Sequence, residues 1–339
     1  MPSHPIDIVI CWVDGTDESW LRERHERKAS ELNFSENLNH AARYRDTGLL
    51  KYTLRSIEAY APWVRHIYIV SPGHKPRWVN EENKKLIFIN QNDIVPPEYQ
   101  PTFKSTGVEW HLHNISGLSE NFIYMNDDMF FNQPVFPEDF FVKGLPELTA
   151  IYRPLPIRDF SHMVLSTLNV LNRFFIQGEV ASQQKAKFFN PLYGKAYLGN
   201  LFVRNLDRLS SRSSFKSSYL FPHVALPIRQ QTMRDIWELD IEELHNTCLR
   251  PFRSHSDVII WLTMFWEIEQ GSFTPQKTST TSMISIDEDS KLQDLLKNKS
   301  VKQICVNDSE DIENFSEDMF KAVTSLLESY FSKKSSFEK

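Results

Sequence analysis

The sequence predicts an α/β fold whose central sheet is mostly parallel and flanked by helices. In the N-terminal part of the chain, short runs of β-branched and aromatic residues alternate with charged stretches that favour helices. The runs end at turn residues, such as Asp14-Gly15 after the first and Ser71-Pro72-Gly73 after the second. Strands separated by helices are typical of βαβ units, which build parallel sheets.

The individual elements follow from the hydrophobic pattern. Strand-like runs occupy residues 6–13, 66–70, 85–90 and 122–125, and helix-like segments occupy residues 17–32, 46–60 and 105–115. In the second of these helices the apolar residues fall on one face. Ligands bind at the carboxyl ends of the strands in such sheets. We therefore expect the polar residues that follow strand one and strand four to act together.

Composition excludes several classes of protein. Of the 339 residues, 41% are hydrophobic and 24% are charged, which is a globular balance. The net charge of −6 gives no reason to expect a nucleic-acid partner, and neither GxGxxG nor GxxxxGK[ST] occurs. Three isolated cysteines argue against a disulfide framework and a zinc site. The N-terminus lacks the pattern of a signal peptide, so we predict a cytoplasmic protein.

Residues 146–218 are predicted to form an insertion of basic and aromatic character. Between residues 172 and 218, eight Lys and Arg residues stand against Glu179 and Asp207, a local charge of +6. One interpretation is a solvated face. The other is a surface for an anionic acceptor or for the headgroup layer of a membrane.

Residues 272–339 are predicted to form a Ser/Thr-rich linker and a helical accessory region. An amphipathic helix is expected over residues 315–331, with Phe320, Val323, Leu327 and Phe331 on one face. We interpret this helix as a packing or association element rather than a chemical one.

Asp127 and Asp128 follow a short apolar run directly and are the first candidates for chemistry. Adjacent carboxylates at a strand end suit Mg²⁺ or Mn²⁺, which prefer oxygen ligands and are often bound together with substrate phosphates. The same Asn-Asp-Asp sequence is also common in turns, where the side chains bond to the local backbone.

Three further groups carry alternative interpretations. Trp12-Val13-Asp14-Gly15 is either a strand ending in a turn or an acidic acceptor for a base or ribose, with Trp12 packed nearby. Arginines cluster at Arg43, Arg45 and Arg55, where they could bind a diphosphate or form salt bridges to Asp46 and Glu58. His223 lies between two prolines, and a rigidly held histidine is a candidate general base.

Four segments resemble, in order, the conserved blocks of the Stealth family. IDIVICWVDGTDESW resembles the first block, RYRDTGLLKYTLRSIEAYAPWVRHIYIVSPGHKPRWVN the second and VEWHLHNISGLSENFIYMNDDMFF the third, while FPHVALP followed by FRSHSD resembles the fourth. The matches cover roughly residues 7–20, 43–95, 103–135 and 220–260. Lys104 departs from the pattern, because a small or amide residue is usual there.

The resemblance implies a fold akin to the GT-A glycosyltransferases and a sugar-1-phosphate transferase of bacterial capsule or cell-surface polysaccharide synthesis. The implied donor is a UDP-sugar, the acceptor a polysaccharide or lipid-linked glycan, the cofactor Mg²⁺ or Mn²⁺, and the released nucleotide UMP. By position, the resemblance implies that Asp14 lies in the nucleotide-binding block of the family. It implies that Asp127 and Asp128 lie in the metal and catalytic block, and that His223 and Arg253 lie in the block that completes the phosphate site.

These implications define the predicted organisation and the predicted site. Residues 1–271 form a composite catalytic domain, made of a nucleotide-sugar and metal-binding half (1–145), the insertion (146–218) and a segment completing the site (219–271). Residues 272–339 are accessory. The predicted nucleotide-sugar contacts are Trp12, Asp14, Gly15, Arg45 and Arg55, the metal ligands are Asp127 and Asp128, and the catalytic residues are Asp128, His223 and Arg253.

Three alternatives remain open. The general base is either Asp128 or His223. The enzyme could be an ordinary glycosyltransferase that attacks the anomeric carbon and releases UDP. The chain could also be an inactive sugar-binding protein. Peripheral contact with the inner face of the cell membrane is a further expectation.

Overall fold

The computed structural model describes residues 4–31, 34–155, 159–176, 179–201, 217–220, 223–278, 280–308 and 317–339. The strands are β1 (Ile6–Cys11), β2 (Ile67–Ser71), β3 (Leu86–Asn90), β4 (Asn121–Asn126), β5 (Met129–Phe131), β6 (Phe141–Val142), β7 (Leu145–Leu148), β8 (Tyr152–Arg153), β9 (Ser218–Tyr219), β10 (Leu226–Arg229), β11 (Thr274–Pro275), β12 (Thr281–Ser285) and β13 (Gln303–Asn307).

The α-helices are α1 (Glu18–Ala29), α2 (Leu50–Tyr60), α3 (Gln91–Ile94), α4 (Ser105–Glu109), α5 (Phe160–Phe174), α6 (Glu179–Gln183), α7 (Lys185–Phe188), α8 (Gln230–Glu238), α9 (Glu242–Leu249), α10 (Trp261–Gln270), α11 (Asp289–Lys297) and α12 (Glu317–Tyr330). Short 3₁₀ turns cover Asn37–Asn39, Ala41–Tyr44, Pro97–Tyr99, Leu112–Asn114, Pro137–Asp139 and Pro191–Tyr197.

The central sheet has the strand order β10-β4-β1-β2-β3. The pairs β4-β1, β1-β2 and β2-β3 are parallel, and β10 runs antiparallel to β4. This confirms the predicted α/β class and the mostly parallel sheet. Because β1 leads to β2 and β3 on one side while β4 returns to the other side, the strand order reverses at β1. The crevice outside such a reversal is where α/β sheets bind ligands.

Both faces of the central sheet are covered, as a parallel sheet requires. Val9 packs into one apolar cluster, whereas Ile8 and Ile10 pack into the other, because successive side chains in a strand point to opposite faces. α2 covers the second face with Leu50, Leu54 and Ile57. The first face is covered mainly by α5, α8 and α10.

The predicted helices form with shorter bounds than the patterns indicated. α1 begins after Asp17, whose carboxylate accepts from the Trp20 N–H at 2.8 Å and so caps the helix. The segment expected to be helical from residue 46 becomes helical only after Gly48, which has a φ of +70°. The helix expected over residues 105–115 ends at Glu109 and continues as a 3₁₀ turn.

Residues 272–339 are more than a helical accessory region, and that prediction is corrected. β12 and β13 form a three-stranded sheet with β5, in the order β12-β13-β5. β13 pairs antiparallel with β5, and Cys305 lies opposite Met129. Ile304, Cys305 and Val306 are buried, so an apolar strand holds this region against β5. The predicted helix forms as α12.

None of the helices in the described ranges is both long enough and apolar enough to cross a bilayer.

Candidate active site

A cleft of about 980 Å³ opens at the carboxyl ends of β1 and β4. In the register of these strands Cys11 lies opposite Asn126, so the residues that follow each strand meet at one edge. Trp12 and Val13 line the cleft from the β1 side, and Asp127 and Asp128 line it from the β4 side. This position matches the strand-order reversal.

Backbone contacts fix the turn that carries the acidic pair. The Thr53 hydroxyl of α2 donates to the Asp127 carbonyl oxygen at 2.7 Å. The Val306 N–H of β13 donates to the Asp128 carbonyl oxygen at 3.0 Å. Phe131 donates its N–H to the Ser56 hydroxyl of the same helix, at 3.0 Å. The turn is therefore held between α2 and β13.

The carboxylates of this turn are poorly satisfied. Loss of water raises the pKa of Asp127, and the charges of Asp128 and Asp46 raise it further. Loss of water also raises the pKa of Asp128, a shift that the Cys305 thiol opposes and that Asp308 reinforces. Asp128 Oδ1 is buried, and none of the residues that the structure describes gives it a hydrogen bond. An unpaired carboxylate oxygen beside other carboxylates is suited to a cation.

Asp46 and Asp308 were not predicted as site residues, yet Asp308 lines the cleft and Asp46 contacts Trp12, which lines it. Asp46 accepts from Trp12 Nε1 at 3.4 Å. Asp308 follows β13 and pairs with Arg45 at 2.9 Å. The sequence contained a signal for Asp308, because an apolar strand followed by Asn-Asp occurs at residues 304–308 as it does at residues 122–127.

The structure brings His223 to the same cleft. Its Nε2 lies 3.3 Å from Asn126 Nδ2, the residue just before the acidic pair. Burial, together with the charges of Arg253 and Arg43, lowers the pKa of His223 to about 4. The imidazole is therefore neutral at physiological pH and can accept a proton.

Arg253 is fixed at both its backbone and its guanidinium. The Asn39 side chain accepts from the Arg253 N–H at 2.9 Å and donates to its carbonyl oxygen at 3.1 Å. The guanidinium donates to the Ser105 hydroxyl at 2.9 Å. Glu109 is buried nearby, and burial raises its pKa while the charge of Arg253 lowers it. A guanidinium held in this way can bind an anionic ligand without changing its own position.

A buried ion cluster supports the loop that bears Arg253. Asp257 is fully buried and accepts from Lys104 Nζ at 2.7 Å and from Arg250 Nη2 at 3.0 Å. It also accepts from the Ser254 N–H at 3.2 Å. The departure of Lys104 from the family pattern thus corresponds to an ion pair that connects the start of α4 to this loop.

Of the residues predicted to contact the nucleotide sugar, Arg45 and Trp12 line the cleft, whereas Asp14 and Gly15 do not. Asp14 Oδ1 accepts from the N–H and the hydroxyl of Thr16, at 2.9 and 2.6 Å. A Cβ on Gly15 would meet the Tyr44 carbonyl oxygen at 1.6 Å, so glycine allows two loops to touch. Their predicted contact with a nucleotide stays a prediction.

The prediction for Arg55 is wrong. Its side chain is 3% exposed and does not line the cleft. Both carboxylate oxygens of Glu338 accept from it, at 2.7 and 2.8 Å, and Glu328 accepts at 2.9 Å. These partners also replace the predicted salt bridge to Glu58. Arg55 holds α2 against the end of the described chain and is unavailable to a diphosphate.

Only part of the basic insertion lies within the described residues. Arg173 pairs with Glu243, and Lys187 donates to the Gly271 carbonyl oxygen. Lys185 and Lys195 are exposed. Arg204, Arg208, Arg212 and Lys216 lie outside the described residues. The acceptor-binding interpretation of this segment stays a prediction.

Two conserved regions described for a protein family match the chain. Stealth protein CR1, conserved region 1, matches residues 4–31, and Stealth protein CR2, conserved region 2, matches residues 43–147. The segments interpreted as the second and third blocks therefore belong to one conserved region. The assignment of residues 220–260 to a further block stays a prediction.

Relatives match the chain over almost its whole length. The chain is 38% identical to the capsular polysaccharide phosphotransferase WcwK of Streptococcus pneumoniae, over 98% of this chain and 99% of that protein. It is 32% identical to the exopolysaccharide phosphotransferase cps2G of Lactiplantibacillus plantarum, over 98% and 96% of the two chains.

Among solved structures, the chain is similar to the galactosyltransferase LgtC in complex with donor and acceptor sugar analogues. The identity is 11%, each chain is covered to 95%, and the TM-score is 0.42. A similarity of this degree carries no argument about the site.

Proposed function

Since this chain belongs to the Stealth family, with a relative 38% identical over almost its full length, we propose that it transfers a sugar-1-phosphate from a UDP-sugar to a hydroxyl of an acceptor glycan. The acceptor oxygen attacks the phosphorus that bears the sugar. A new P–O bond forms, the P–O bond to UMP breaks, and UMP leaves with the bonding electron pair. The hydroxyl proton passes to a base of the enzyme.

The observation that carries this proposal is the convergence of two kinds of group on one cleft. Two carboxylates, Asp127 and Asp128, line the cleft together with a neutral imidazole and a fixed guanidinium, and Asp128 Oδ1 is unsatisfied among the described residues. Phosphoryl transfer requires positioning and neutralisation of charge more than covalent help from the protein. The residues present provide those functions.

Asp127 and Asp128 would hold the divalent cation, Mg²⁺ or Mn²⁺. The unpartnered Oδ1 of Asp128 and the raised pKa values of both carboxyls support this assignment. Within the described ranges, no group of three His, Cys, Asp or Glu side chains forms a complete metal site. Two carboxylates together with the donor diphosphate suit Mg²⁺, which often keeps so few protein ligands. The cation would neutralise charge on the diphosphate.

The other residues of the cleft position the reactants. Arg253 would bind the phosphate oxygens. Ser105 orients its guanidinium at the cleft, and Asn39 holds its backbone in place. His223 would accept the proton of the attacking hydroxyl. Binding of an anionic donor near Arg253 and Arg43 offsets the charges that depress the His223 pKa, so the base would strengthen as the donor binds.

We propose that the acceptor is a polysaccharide or a lipid-linked glycan, as the names of the relatives suggest, and that it is met at the inner face of the cell membrane. The local charge of +6 over residues 172–218 supports an anionic partner of this kind.

A nucleotide-release assay tests the proposed function. The protein is incubated with a panel of UDP-sugars, MgCl₂ and candidate acceptors, and the nucleotides are separated by chromatography. We expect UMP to appear with one donor and to depend on the acceptor. Release of UDP would identify an ordinary glycosyltransferase, and absence of any released nucleotide across the panel would favour a sugar-binding protein.

A further inference from the structure

We infer that the cleft wall formed by Arg153, Phe160 and Trp261 is the acceptor site, and that Arg153 pairs with a phosphate ester carried by the acceptor. This inference rests on the proposed function. It names the chemical class of acceptor that the cleft selects and the residue that selects it.

The base marks the side of the cleft on which the acceptor must lie. A general base has to reach the hydroxyl that it deprotonates, at hydrogen-bond distance or through one water. One side of His223 faces Asn126 and the acidic pair. On another side its ring meets the ring of Trp261, with centroids 6.2 Å apart. The acceptor therefore approaches along the Trp261 wall.

Trp261 and Phe160 form an aromatic shelf along this wall. Trp261 begins α10 and Phe160 begins α5, and their ring centroids lie 5.2 Å apart in an edge-to-face arrangement. Both rings are partly exposed and line the cleft. Partly exposed aromatic rings offer a flat apolar surface on which the C–H face of a sugar ring can pack.

Arg153 adds an available positive charge to the same wall. It ends β8, which is anchored by pairing with Ser218 of β9. Its side chain is exposed and lines the cleft, and within the described ranges it makes no hydrogen bond or ion pair. Arg45 and Arg253, by contrast, are already bound to Asp308 and Ser105. Arg153 thus offers the acceptor a positive charge separate from that of Arg253, which the proposed function assigns to the donor phosphates.

Asp159 lies on the same wall and carries the opposite charge. Its Oδ2 accepts from Asn37 Nδ2 at 3.4 Å, a long and weak contact. It would repel an anionic acceptor mildly. The pair Arg153 and Asp159 therefore provides two variants with opposite expected effects.

The proposed reaction explains why the acceptor would be anionic. Each transfer leaves a phosphodiester, so a growing polymer carries phosphate esters from earlier rounds. A glycan built on a lipid carrier is linked to it through a phosphate ester or diphosphate. Both sources present the same chemistry, a phosphate ester a short distance from the attacking hydroxyl.

The test compares three acceptors that share the terminal sugar found active in the acceptor panel. One is the neutral methyl glycoside, one is a glycerol phosphodiester, and one is a short-chain prenyl diphosphate. The variants are Arg153→Gln, Asp159→Asn and Trp261→Leu, with Lys84→Gln as an exposed control that lies before β3 and outside the cleft. The KM of each acceptor and of the donor is measured, and binding of the glycerol phosphodiester without donor is measured by calorimetry.

We expect Arg153→Gln to raise the KM of the charged acceptors about 10-fold, the scale of one hydrogen bond to a charged group. The KM of the neutral acceptor and of the donor should not change. Asp159→Asn should lower the KM of the charged acceptors, because it removes a repelling charge, and Trp261→Leu should raise the KM of all three acceptors. If Arg153→Gln raises the KM of the prenyl diphosphate more than that of the phosphodiester, the phosphate ester that Arg153 binds belongs to the lipid carrier. The opposite order identifies the phosphate ester of the polymer.

The inference is overturned if Arg153→Gln leaves the charged acceptors unaffected, or if it raises the donor KM instead. Either result can occur while the wild-type protein still forms UMP, in which case the proposed function stands. If the wild-type protein forms no UMP, the proposed function fails, and the calorimetric comparison of wild type with Arg153→Gln still decides whether this wall binds the phosphodiester.

Discussion

Asp127 and Asp128 lie in surroundings that disfavour their charged forms. Both lose water in the cleft wall, and Asp127 also faces Asp128 and Asp46. Thr53 and Val306 hold the backbone of this turn through the carbonyl oxygens of Asp127 and Asp128, which keeps the two residues at the cleft wall. A bound divalent cation would relieve the repulsion between the carboxylates, and this is the physical basis of the metal requirement that we propose.

Asp127→Asn and Asp128→Asn should each reduce turnover at least ~10²-fold, the scale of one lost electrostatic contact in a transition state. Asp93→Asn, an exposed substitution in α3, serves as the matched control and should retain wild-type turnover. Steady-state rates of UMP formation give the measurement. Near-normal turnover of the wild-type protein in EDTA would contradict the metal assignment.

His223→Ala should lower turnover and leave donor affinity, measured by calorimetry, close to the wild-type value. In the wild-type protein the imidazole should titrate near pH 4 by NMR, because burial and the charges of Arg253 and Arg43 lower its pKa. Removing one positive charge favours the protonated form, so Arg253→Gln should raise the His223 pKa. A His223 that titrates near its ordinary pKa in both proteins, or a large loss of donor affinity in His223→Ala, would refute the assigned role.

At the scale of elements, the strands that carry the site were predictable and the loop that bears Arg253 was not. β1 and β4 are short β-branched or aromatic runs that end in polar residues, and both the runs and the position of the acidic pair follow from the local sequence. The loop around Arg253 depends on Asn39 and Lys104, which are distant in sequence. Side-chain contacts over such separations leave no periodic pattern.

In the buried cluster under this loop, we expect loss of Asp257 and loss of Lys104 to lower the free energy of unfolding by different amounts. Asp257→Asn leaves Lys104 buried without a counter-ion and should cost about 3–5 kcal/mol of the free energy of unfolding. Lys104→Met should cost clearly less, because Asp257 keeps Arg250 and the Ser254 N–H as partners. Urea unfolding of the two variants gives the comparison. Equal losses would show that Arg250 does not compensate the charge of Asp257.

At the scale of the whole molecule, residues far apart in sequence close around the acidic pair. β13 supplies the strand beside β5, and the Glu338 carboxylate holds Arg55 of α2, the helix that contacts the Asp127 carbonyl oxygen. The sequence predicted α12 from its amphipathic pattern. It did not predict the β5-β13 pairing or the partners of Arg55, because both depend on contacts between residues far apart in the sequence.

Glu338→Gln should destabilise the protein by about 3 kcal/mol, because it removes one partner of a buried ion pair. Glu328→Gln, the matched control on the other side of Arg55, should cost less than about 1 kcal/mol, since the Glu328 side chain is 47% exposed. Thermal or urea unfolding distinguishes the two variants. The reverse order of losses would mean that the region after α12 does not anchor α2.

The central claim is that the acceptor attacks phosphorus rather than the anomeric carbon, and the fate of the β-phosphate tests it most directly. The donor is a UDP-sugar labelled with ³²P in the phosphate that bears the sugar, and the product glycan is separated from the nucleotides after complete reaction. Attack at phosphorus places the label in the glycan and leaves unlabelled UMP. Recovery of the label in UDP, with an unlabelled glycan product, would contradict the proposed reaction.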